Sequence, residues 1–177
     1  APIHVLPIYV DISRFKNLVP EPHSQKVILW VGRFEPEKAP LKALEALRDV
    51  LQKGVVARLI MLGAGSLEAE LRQAAKELPV EFGGWKDPAE YLPTADVVLC
   101  TSIHESWGAS IVEALAAGVP VVAPDVGIAK EAGAIVVARK KLAEAVADVL
   151  MSGKRGTLQL SLPTQEEWIQ RWRSSLL

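Results

Sequence analysis

Short apolar runs alternate with helix-like stretches along this chain from residue 26 onward, and this alternation limits the folds available to it. Strands that are almost continuously apolar are typical of parallel sheets with helices on both faces. The sequence therefore predicts an α/β fold, a doubly wound (Rossmann-like) parallel sheet of about six strands with helices on both faces. The predicted strands are 26–32, 57–62, 80–82, 96–100, 120–124 and 134–138, and the predicted helices are 40–54, 66–78, 88–95, 108–118 and 140–153.

Composition supports one folded domain and argues against several functions. Half of the 177 residues are hydrophobic and 23% are charged, enough apolar material for a single core. The net charge is -1 without a basic face, so nucleic acid is not an expected partner. No apolar run reaches the roughly 18 to 20 residues of a transmembrane segment. The only cysteine, Cys100, cannot form an internal disulfide, which favours a cytoplasmic location.

The chain divides into three predicted parts. Residues 1–25 are expected to be a leading segment and linker, since their second half is rich in proline and poor in apolar residues. Residues 26–153 form the predicted Rossmann-like, ligand-binding domain. Residues 154–177 are expected to contain a separate helix, which Thr164 and Glu167 would begin with a capping box. Because the chain starts without a methionine, we expect it to be part of a longer protein.

Polar residues directly after strands are the first candidates for function, because ligands bind beyond the carboxyl ends of parallel strands. The loop GRFEPEKAP places Arg33 and Lys38 before a helix, where two cations would suit a phosphate group. Ordinary loop charges partnered by Glu35 and Glu37 are the alternative.

Glycines and an aromatic residue follow the next two predicted strands. Gly63 and Gly65 in LGAGS would let the backbone approach a ligand, although a plain tight turn needs the same residues. Trp85 in FGGWKD either lies against a nucleobase or closes its own core.

A lone carboxylate occupies an otherwise apolar helix. Glu113 is the only charged residue of 108–118, and a buried carboxylate costs several kcal/mol unless it is paired. The two neighbouring hydroxyls of a ribose could pair with it, since a carboxylate accepts two hydrogen bonds side by side. A salt bridge to Arg33 or Lys38, or a helix rim that reaches water, would also explain it.

A second glutamate, Glu105, precedes Glu113 by eight residues. If all eight steps were helical, the two carboxylates would lie roughly 12 Å apart along the axis and could hold the ends of an elongated, polyhydroxylated ligand. Between them the helix N-terminus, with Gly108 allowing close approach, offers free N–H groups to an anion. Ribose, phosphate and sugar in a row describe a nucleotide sugar.

These motifs resemble the C-terminal, donor-binding half of the retaining GT-B glycosyltransferases called glycosyl transferases group 1 (family four). The resemblance covers about residues 3–150, and the motifs stand in the family's order and at its spacing. It is carried by the E-x7-E pair, GRFEPEK, LGAG, YLPTADVVLCTSIHESWG, EALAAGVPVVA and the linker-like LPIYVDISRFK. The expected fold is thus one half of a GT-B fold.

The resemblance implies a role for each candidate residue. Arg33 and Lys38 would hold the donor diphosphate, and Glu105 would contact the transferred sugar, so these three form the implied catalytic set. Glu113 would accept the ribose hydroxyls, and Trp85 would lie near the base. The remaining implied donor-binding residues are Gly32, Gly63, Gly65, Ser106, Trp107, Gly108 and Ala109. No metal or cofactor is implied, because the positive site itself stabilises the leaving nucleotide diphosphate.

Two departures from the family pattern affect these expectations. VGIAKE replaces a Gly-Gly-x-x-E stretch, so that Val126 stands for the first glycine beside the expected sugar pocket. The resemblance implies an acceptor-binding N-terminal domain as the expected partner, which we expect to lie outside this sequence, so the acceptor is unknown. We expect the chain alone to bind donor but to transfer sugar poorly or not at all. The stripe of Trp168 and Trp172 would dock either on that domain or on its own, and the whole enzyme could associate peripherally with a membrane.

Two rival functions stay open at this point. A GT-B epimerase acting on a nucleotide sugar would need further acid or base groups, for which His104 is the only candidate. A non-catalytic nucleotide-binding or regulatory module would have kept the fold and lost turnover, as the altered VGIAKE stretch allows.

Overall fold

The computed structural model describes residues 8–176, and it contains one sheet of six parallel strands in the order β3-β2-β1-β4-β5-β6. The strands are β1 Lys26–Val31, β2 Ala57–Leu62, β3 Val80–Gly84, β4 Val97–Leu99, β5 Val121–Ala123 and β6 Ile135–Val136. The predicted doubly wound fold is confirmed. Strand order reverses between β1 and β4, which opens a crevice at their carboxyl ends. Residues 1–7 of the predicted leading segment and Leu177 lie outside the described residues.

Six α-helices connect or follow these strands. They are α1 Leu41–Gln52, α2 Glu68–Ala74, α3 Ala109–Ala116, α4 Ala129–Ala132, α5 Leu142–Ser152 and α6 Gln165–Ser174. The helix predicted at 88–95 is instead two 3-10 turns, Pro88–Glu90 and Leu92–Thr94. Prolines supply no backbone N–H, so they suit short turns better than a continuous helix. The four-residue α4 was not predicted, because it is too short to show a helical period.

Both faces of the sheet are buried. On β1 the side chains of Ile28 and Trp30 pack into a core formed with α1 and α5. Val27 and Leu29 point to the other face and pack into a core formed with α3 and α4. All four side chains are at most 2% exposed, which explains the unbroken apolar run of this strand.

The segments before and after the sheet domain pack on the α3 face. Phe15 from the leading segment is 3% exposed and belongs to that core. After α5 the chain runs back in extended form, where Gly156 N donates to Gly118 O (2.9 Å) and Gln159 N to Ala132 O (2.9 Å).

The C-terminal helix begins with the predicted capping box. Glu167 N donates to Thr164 Oγ1 (3.2 Å) and Thr164 N to Glu167 Oε2 (2.9 Å). The Trp168 ring lies 6.3 Å from that of Tyr9 in the leading segment, while Trp172 is 46% exposed. One tryptophan of the predicted stripe thus packs within the described chain and the next faces outward. Between residues 8 and 176 no helix has the length and apolar character needed to cross a membrane.

Candidate functional site

The loops after β1 and β4 are bonded together at the point where strand order reverses. Ile103 N donates to Glu37 O at 2.8 Å, and Thr101 Oγ1 donates to Lys38 O at 2.8 Å. The same hydroxyl accepts from Trp30 Nε1 at 2.8 Å, and Thr101 is only 1% exposed. Thr101 is therefore a buried hydrogen-bonding link between the two loops.

Lys38 and Glu105 meet across this junction. Lys38 Nζ lies 2.6 Å from Glu105 Oε1, and the side chains are 20% and 14% exposed. Ser102 Oγ donates to the same carboxylate oxygen at 2.7 Å. Since Oε1 already has two donors, Oε2 is the oxygen that Glu105 can offer to a ligand. The structure thus brings together two of the three implied catalytic residues and adds Ser102, which the sequence analysis missed.

Arg33, the third implied catalytic residue, pairs with Glu37. Its Nη2 lies 2.6 Å from Glu37 Oε1, with side-chain exposures of 60% and 44%. Exposed pairs of this kind contribute at most about 1 kcal/mol, so the guanidinium could leave its partner for a phosphate at little cost. In this structure Arg33 is paired with a glutamate of its own loop, as the alternative to phosphate binding predicted.

Glu113 lies at the wall of a cavity of about 390 Å³ beyond the carboxyl ends of β1, β2 and β3. The carboxylate is half-buried, and within residues 8–176 no group donates a hydrogen bond to it. Burial raises the pKa of Glu113 above its ordinary value, an effect that Arg14 opposes and Asp87 reinforces. Arg33 and Lys38 pair with other glutamates, so neither forms the salt bridge considered for Glu113. The cavity is lined by Val31, Gly32, Leu62, Gly63, Trp85, Lys86, Asp87, Pro88 and Glu113.

Trp85 stands on the same cavity and is 76% exposed. It therefore does not close its own core, and its ring is available to a ligand. The following loop is held by Asp87, which pairs with Arg14 of the leading segment and accepts from Ala89 N at 3.0 Å. The cavity thus presents an exposed indole and the carboxylate of Glu113, to which no described group donates a hydrogen bond.

Backbone packing explains the two glycines of the loop after β2, Gly63 and Gly65. A Cβ on Gly63 would lie 1.8 Å from Gly32 O, and one on Gly65 would lie 2.6 Å from Phe34 O. The φ of Gly63 is 145°, a conformation that favours glycine. Close contact between the loops after β1 and β2 is thus sufficient reason for both residues, although Gly32 and Gly63 also line the cavity.

The loop before α3 differs from the geometry assumed in the sequence analysis. Gly108 has φ 104° and caps a helix that starts only at Ala109, so Glu105 lies in the loop and the eight steps to Glu113 are not all helical. The estimated 12 Å axial separation was therefore based on a wrong premise. Ser106 is exposed and Trp107 is half-buried. Ala109 and Ser110 in the first turn of α3 are half-buried, and the first N–H groups of a helix have no partner within the helix.

The altered stretch VGIAKE packs under this loop. A Cβ on Gly127 would lie 2.3 Å from Trp107 O, and Ile128 N donates to that oxygen at 2.8 Å. Val126 is 8% exposed and belongs to the α3-side core. Gly127, the retained glycine, therefore allows the close contact with the loop before α3. Val126, which replaces the first glycine, packs in the core.

Arg139, just after β6, is a second residue that the sequence analysis missed. It donates to backbone carbonyls of the loop after β4. Its position after a strand was the available signal, but a run of basic residues such as ARKK is also common on a solvated surface. Within the described part of the chain no three His, Cys, Asp or Glu side chains are grouped closely enough to hold a metal ion.

Comparison with known proteins gives a family match over most of the chain. The model of the family described as Glycosyl transferases group 1 matches residues 25–152. A GDP-mannose-dependent alpha-mannosyltransferase of Mycobacterium tuberculosis is 35% identical over 128 residues, 67% of this chain and 32% of that protein. A D-inositol 3-phosphate glycosyltransferase of Geodermatophilus obscurus is 34% identical over 152 residues, 70% of this chain and 33% of that protein. The chain spans about a third of the length of these curated relatives.

Solved structures share the fold. A mutant of TarM from S. aureus, in complex with fondaparinux, alpha-GlcNAc-glycerol and UDP, has a TM-score of 0.72 at 17% identity, over 98% of this chain and 37% of that chain. Sucrose-phosphate synthase from Thermosynechococcus elongatus has a TM-score of 0.69 at 24% identity, over 85% of this chain and 44% of that chain. The matched residues 25–152 include all six strands and both crevice loops. The chain therefore belongs to the Glycosyl transferases group 1 family.

Proposed function

We propose that this chain is the donor-binding domain of a retaining glycosyltransferase, which transfers a sugar from a nucleotide diphosphate sugar to an acceptor. The observation that carries the proposal is Glu113, a half-buried carboxylate without a hydrogen-bond donor among the described residues, on a cavity that also exposes Trp85. A charge in that position is destabilising by itself. A ribose would supply two O–H donors to it, while the base lies against the indole.

The other parts of a nucleotide sugar fit the remaining groups in order. The diphosphate would lie at the N-terminal turn of α3, near Gly108 and Ala109, with Lys38 and Arg33 as counter-charges. The transferred sugar would then reach Glu105, whose Oε2 is the oxygen left for a sugar hydroxyl. Lys38 would exchange its contact with Glu105 for the phosphate, which frees part of that carboxylate when the donor arrives.

The proposed chemistry needs charge stabilisation at the leaving group. As the bond between the sugar and the phosphate breaks, negative charge grows on the nucleotide diphosphate. Lys38, Arg33 and the N–H groups of α3 would stabilise that charge in a crevice partly shielded from water. We further propose that the whole protein contains a second domain that binds the acceptor, and that it is located in the cytoplasm. His104 makes no hydrogen bond or ion pair within residues 8–176, so no contact favours the epimerase.

Calorimetry with UDP, GDP and ADP and with a sugar derivative of each tests the proposal. We expect one base to bind the wild-type chain, and Glu113→Gln to weaken that binding by roughly 10- to 100-fold, the worth of hydrogen bonds to a charged group. Glu144→Gln, an exposed carboxylate of α5 on the other face of the sheet, is the matched control and should bind like wild type. Absence of binding by all three nucleotides, or full affinity in Glu113→Gln, would contradict it.

A further inference from the structure

Arg139 makes three hydrogen bonds to the loop after β4. Its Nη1 donates to Thr101 O (3.1 Å) and to Ser102 O (2.7 Å). Its Nη2 donates to Ile103 O at 2.9 Å. One guanidinium therefore holds three consecutive carbonyls of the loop after β4, although it follows β6 and lies 36 to 38 residues away in the sequence.

Two of these three residues, Thr101 and Ile103, are also bonded to the loop after β1. Ile103 N donates to Glu37 O and Thr101 Oγ1 to Lys38 O, each at 2.8 Å. The segment 101–103 is thus bonded both to Arg139 and to the turn that carries Lys38. Removing the guanidinium would leave three carbonyl oxygens to water and release one side of this segment.

The segment held in this way carries the contacts of Glu105. Ser102 Oγ donates to Glu105 Oε1 at 2.7 Å, and Lys38 Nζ lies 2.6 Å from the same oxygen. The direction of Glu105 Oε2 depends on where these two donors hold Oε1. A shift of the 101–103 backbone would therefore move the carboxylate away from the sugar position, and displacements of about 1 Å are costly in such sites.

We propose that Arg139 is a positioning residue of the donor site, which acts by fixing the backbone of residues 101–103 and so the direction of Glu105 and Lys38. The expected effect on donor binding rests on the proposed function, whereas the fixing of the 101–103 backbone by Arg139 does not. Arginine suits the task because its planar guanidinium presents several N–H donors in a fixed fork. A lysine ammonium keeps the charge without that fork.

The experiment compares Arg139→Gln and Arg139→Lys with Lys140→Gln, an exposed cation of the same turn, as matched control. The probes are UDP-glucose, GDP-mannose or ADP-glucose, whichever binds the wild-type chain, and the nucleoside monophosphate of the same base. We expect Arg139→Gln to weaken binding of the nucleotide sugar by about 10- to 100-fold and to leave the monophosphate within about twofold. Arg139→Lys should resemble Arg139→Gln, and Lys140→Gln should resemble wild type.

Three results would overturn the proposal. Full recovery in Arg139→Lys would mean that charge alone matters, and equal losses for both ligands would mean a general effect on folding. Unchanged binding in Arg139→Gln would mean that the three hydrogen bonds position nothing.

Hydrogen exchange separates this inference from the proposed function. The Ile103 amide, bonded to Glu37 O, should exchange faster in Arg139→Gln than in Lys140→Gln. If no nucleotide sugar binds the wild-type chain, the proposed function fails and this comparison alone decides the positioning role. Equal exchange rates in the two variants would then refute it.

Discussion

Among single residues, Glu113 is the one on which the proposed donor binding depends most, as a charge in an apolar helix. Glu113 is flanked in α3 by Val112 and Ala114, both at most 1% exposed, yet its own carboxylate reaches the cavity. Burial raises the pKa of this carboxyl, which means that its ionised form is disfavoured in the folded chain. Ligand binding would have to compensate for that free-energy cost. A functional carboxylate of this kind should reduce the stability of the ligand-free chain.

Glu113→Gln should therefore stabilise the ligand-free chain at neutral pH. Because the folded pKa is raised, the native state takes up a proton above the ordinary glutamate value of about 4.3, so its stability falls as pH rises through that window. We expect the variant to gain about 0.5 to 2 kcal/mol at pH 7, the usual range for such changes at functional sites. The gain should vanish below about pH 4, where the wild-type carboxyl is protonated in both states.

Chemical unfolding at pH 4 and pH 7 measures this difference. Glu144→Gln again serves as the exposed control and should show no gain at either pH. A Glu113→Gln variant that is less stable than wild type at pH 7 would show that the carboxylate supports the ligand-free fold.

Sequence reasoning at this scale identified Glu113 but not its surroundings. A charge within an apolar run is visible in one dimension, as is the eight-residue spacing of Glu105 and Glu113. Long-range contacts between loops after different strands create the pairing of Lys38 with Glu105. They also bring Arg139 to residues 101–103. Such contacts leave no periodic pattern in the sequence.

At the scale of elements, backbone contacts between neighbouring loops shape the cavity. Gly63 follows β2 and lies directly against Gly32, which follows β1. Both residues line the cavity, together with Trp85 and Glu113. The width of the cavity therefore depends on two loops that approach as closely as only glycine permits.

Gly63→Ala should destabilise the chain strongly. The new methyl group would lie 1.8 Å from Gly32 O in a backbone with φ 145°, so both a clash and strain oppose it. We expect a loss of about 3 kcal/mol or more in the free energy of unfolding.

Gly54→Ala provides the matched control for this change. Its φ is also positive, 81°, but a Cβ there meets nothing within 4 Å. We expect it to cost only the conformational strain, about 1 kcal/mol, in the same denaturant titration. Equal losses in the two variants would show that the contact with Gly32 is not a constraint.

The element order was predictable because hydrophobic patterning directly reports burial. All six strands and most helices appeared in the right places, with strand ends shorter than predicted at 96–100 and 120–124. The misses, α4 and the two 3-10 turns near Pro88, are short segments set by tertiary contacts and prolines. Patterning has little information on segments of three or four residues.

In the whole molecule, the two ends of the parallel strands differ in structure. The cavity lies at their carboxyl ends, whereas Asp96, just before β4, makes hydrogen bonds at their amino ends. Asp96 Oδ2 accepts from Val27 N at 2.8 Å and from His23 Nε2 at 2.7 Å, and Oδ1 accepts from Lys26 Nζ at 3.0 Å. Burial opposes the charge of Asp96, but these hydrogen bonds together hold its pKa below the usual range.

His23 makes this set of hydrogen bonds dependent on pH. The hydrogen bond to Asp96 raises the pKa of His23, and both ring nitrogens face acceptors, since Nδ1 lies 2.8 Å from Glu21 O. Its contribution to stability is therefore complete below the unfolded value of about 6.5 and is lost as pH rises through the higher folded pKa. The contribution of Asp96 is lost only in acid, as pH falls through its lowered pKa.

His23→Gln should consequently destabilise the chain by about 1 kcal/mol at pH 5.5 and by much less at pH 8.5. Thermal unfolding at the two pH values measures this difference, with His104→Gln in the exposed loop as the control. A loss of the same size at both pH values would indicate that the imidazole contributes by packing and not by charge.

We infer that Glu113 receives the hydroxyls of a ribose, and nucleotides that lack one of these hydroxyls test this claim. Calorimetry would compare the preferred nucleoside diphosphate with its 2′-deoxy and 3′-deoxy forms on the wild-type chain and on Glu113→Gln. We predict that the wild-type chain prefers the complete ribose by about 10- to 100-fold and that the variant binds all three forms almost equally. A wild-type chain that does not distinguish the three, or a preference that survives in Glu113→Gln, would contradict the claim.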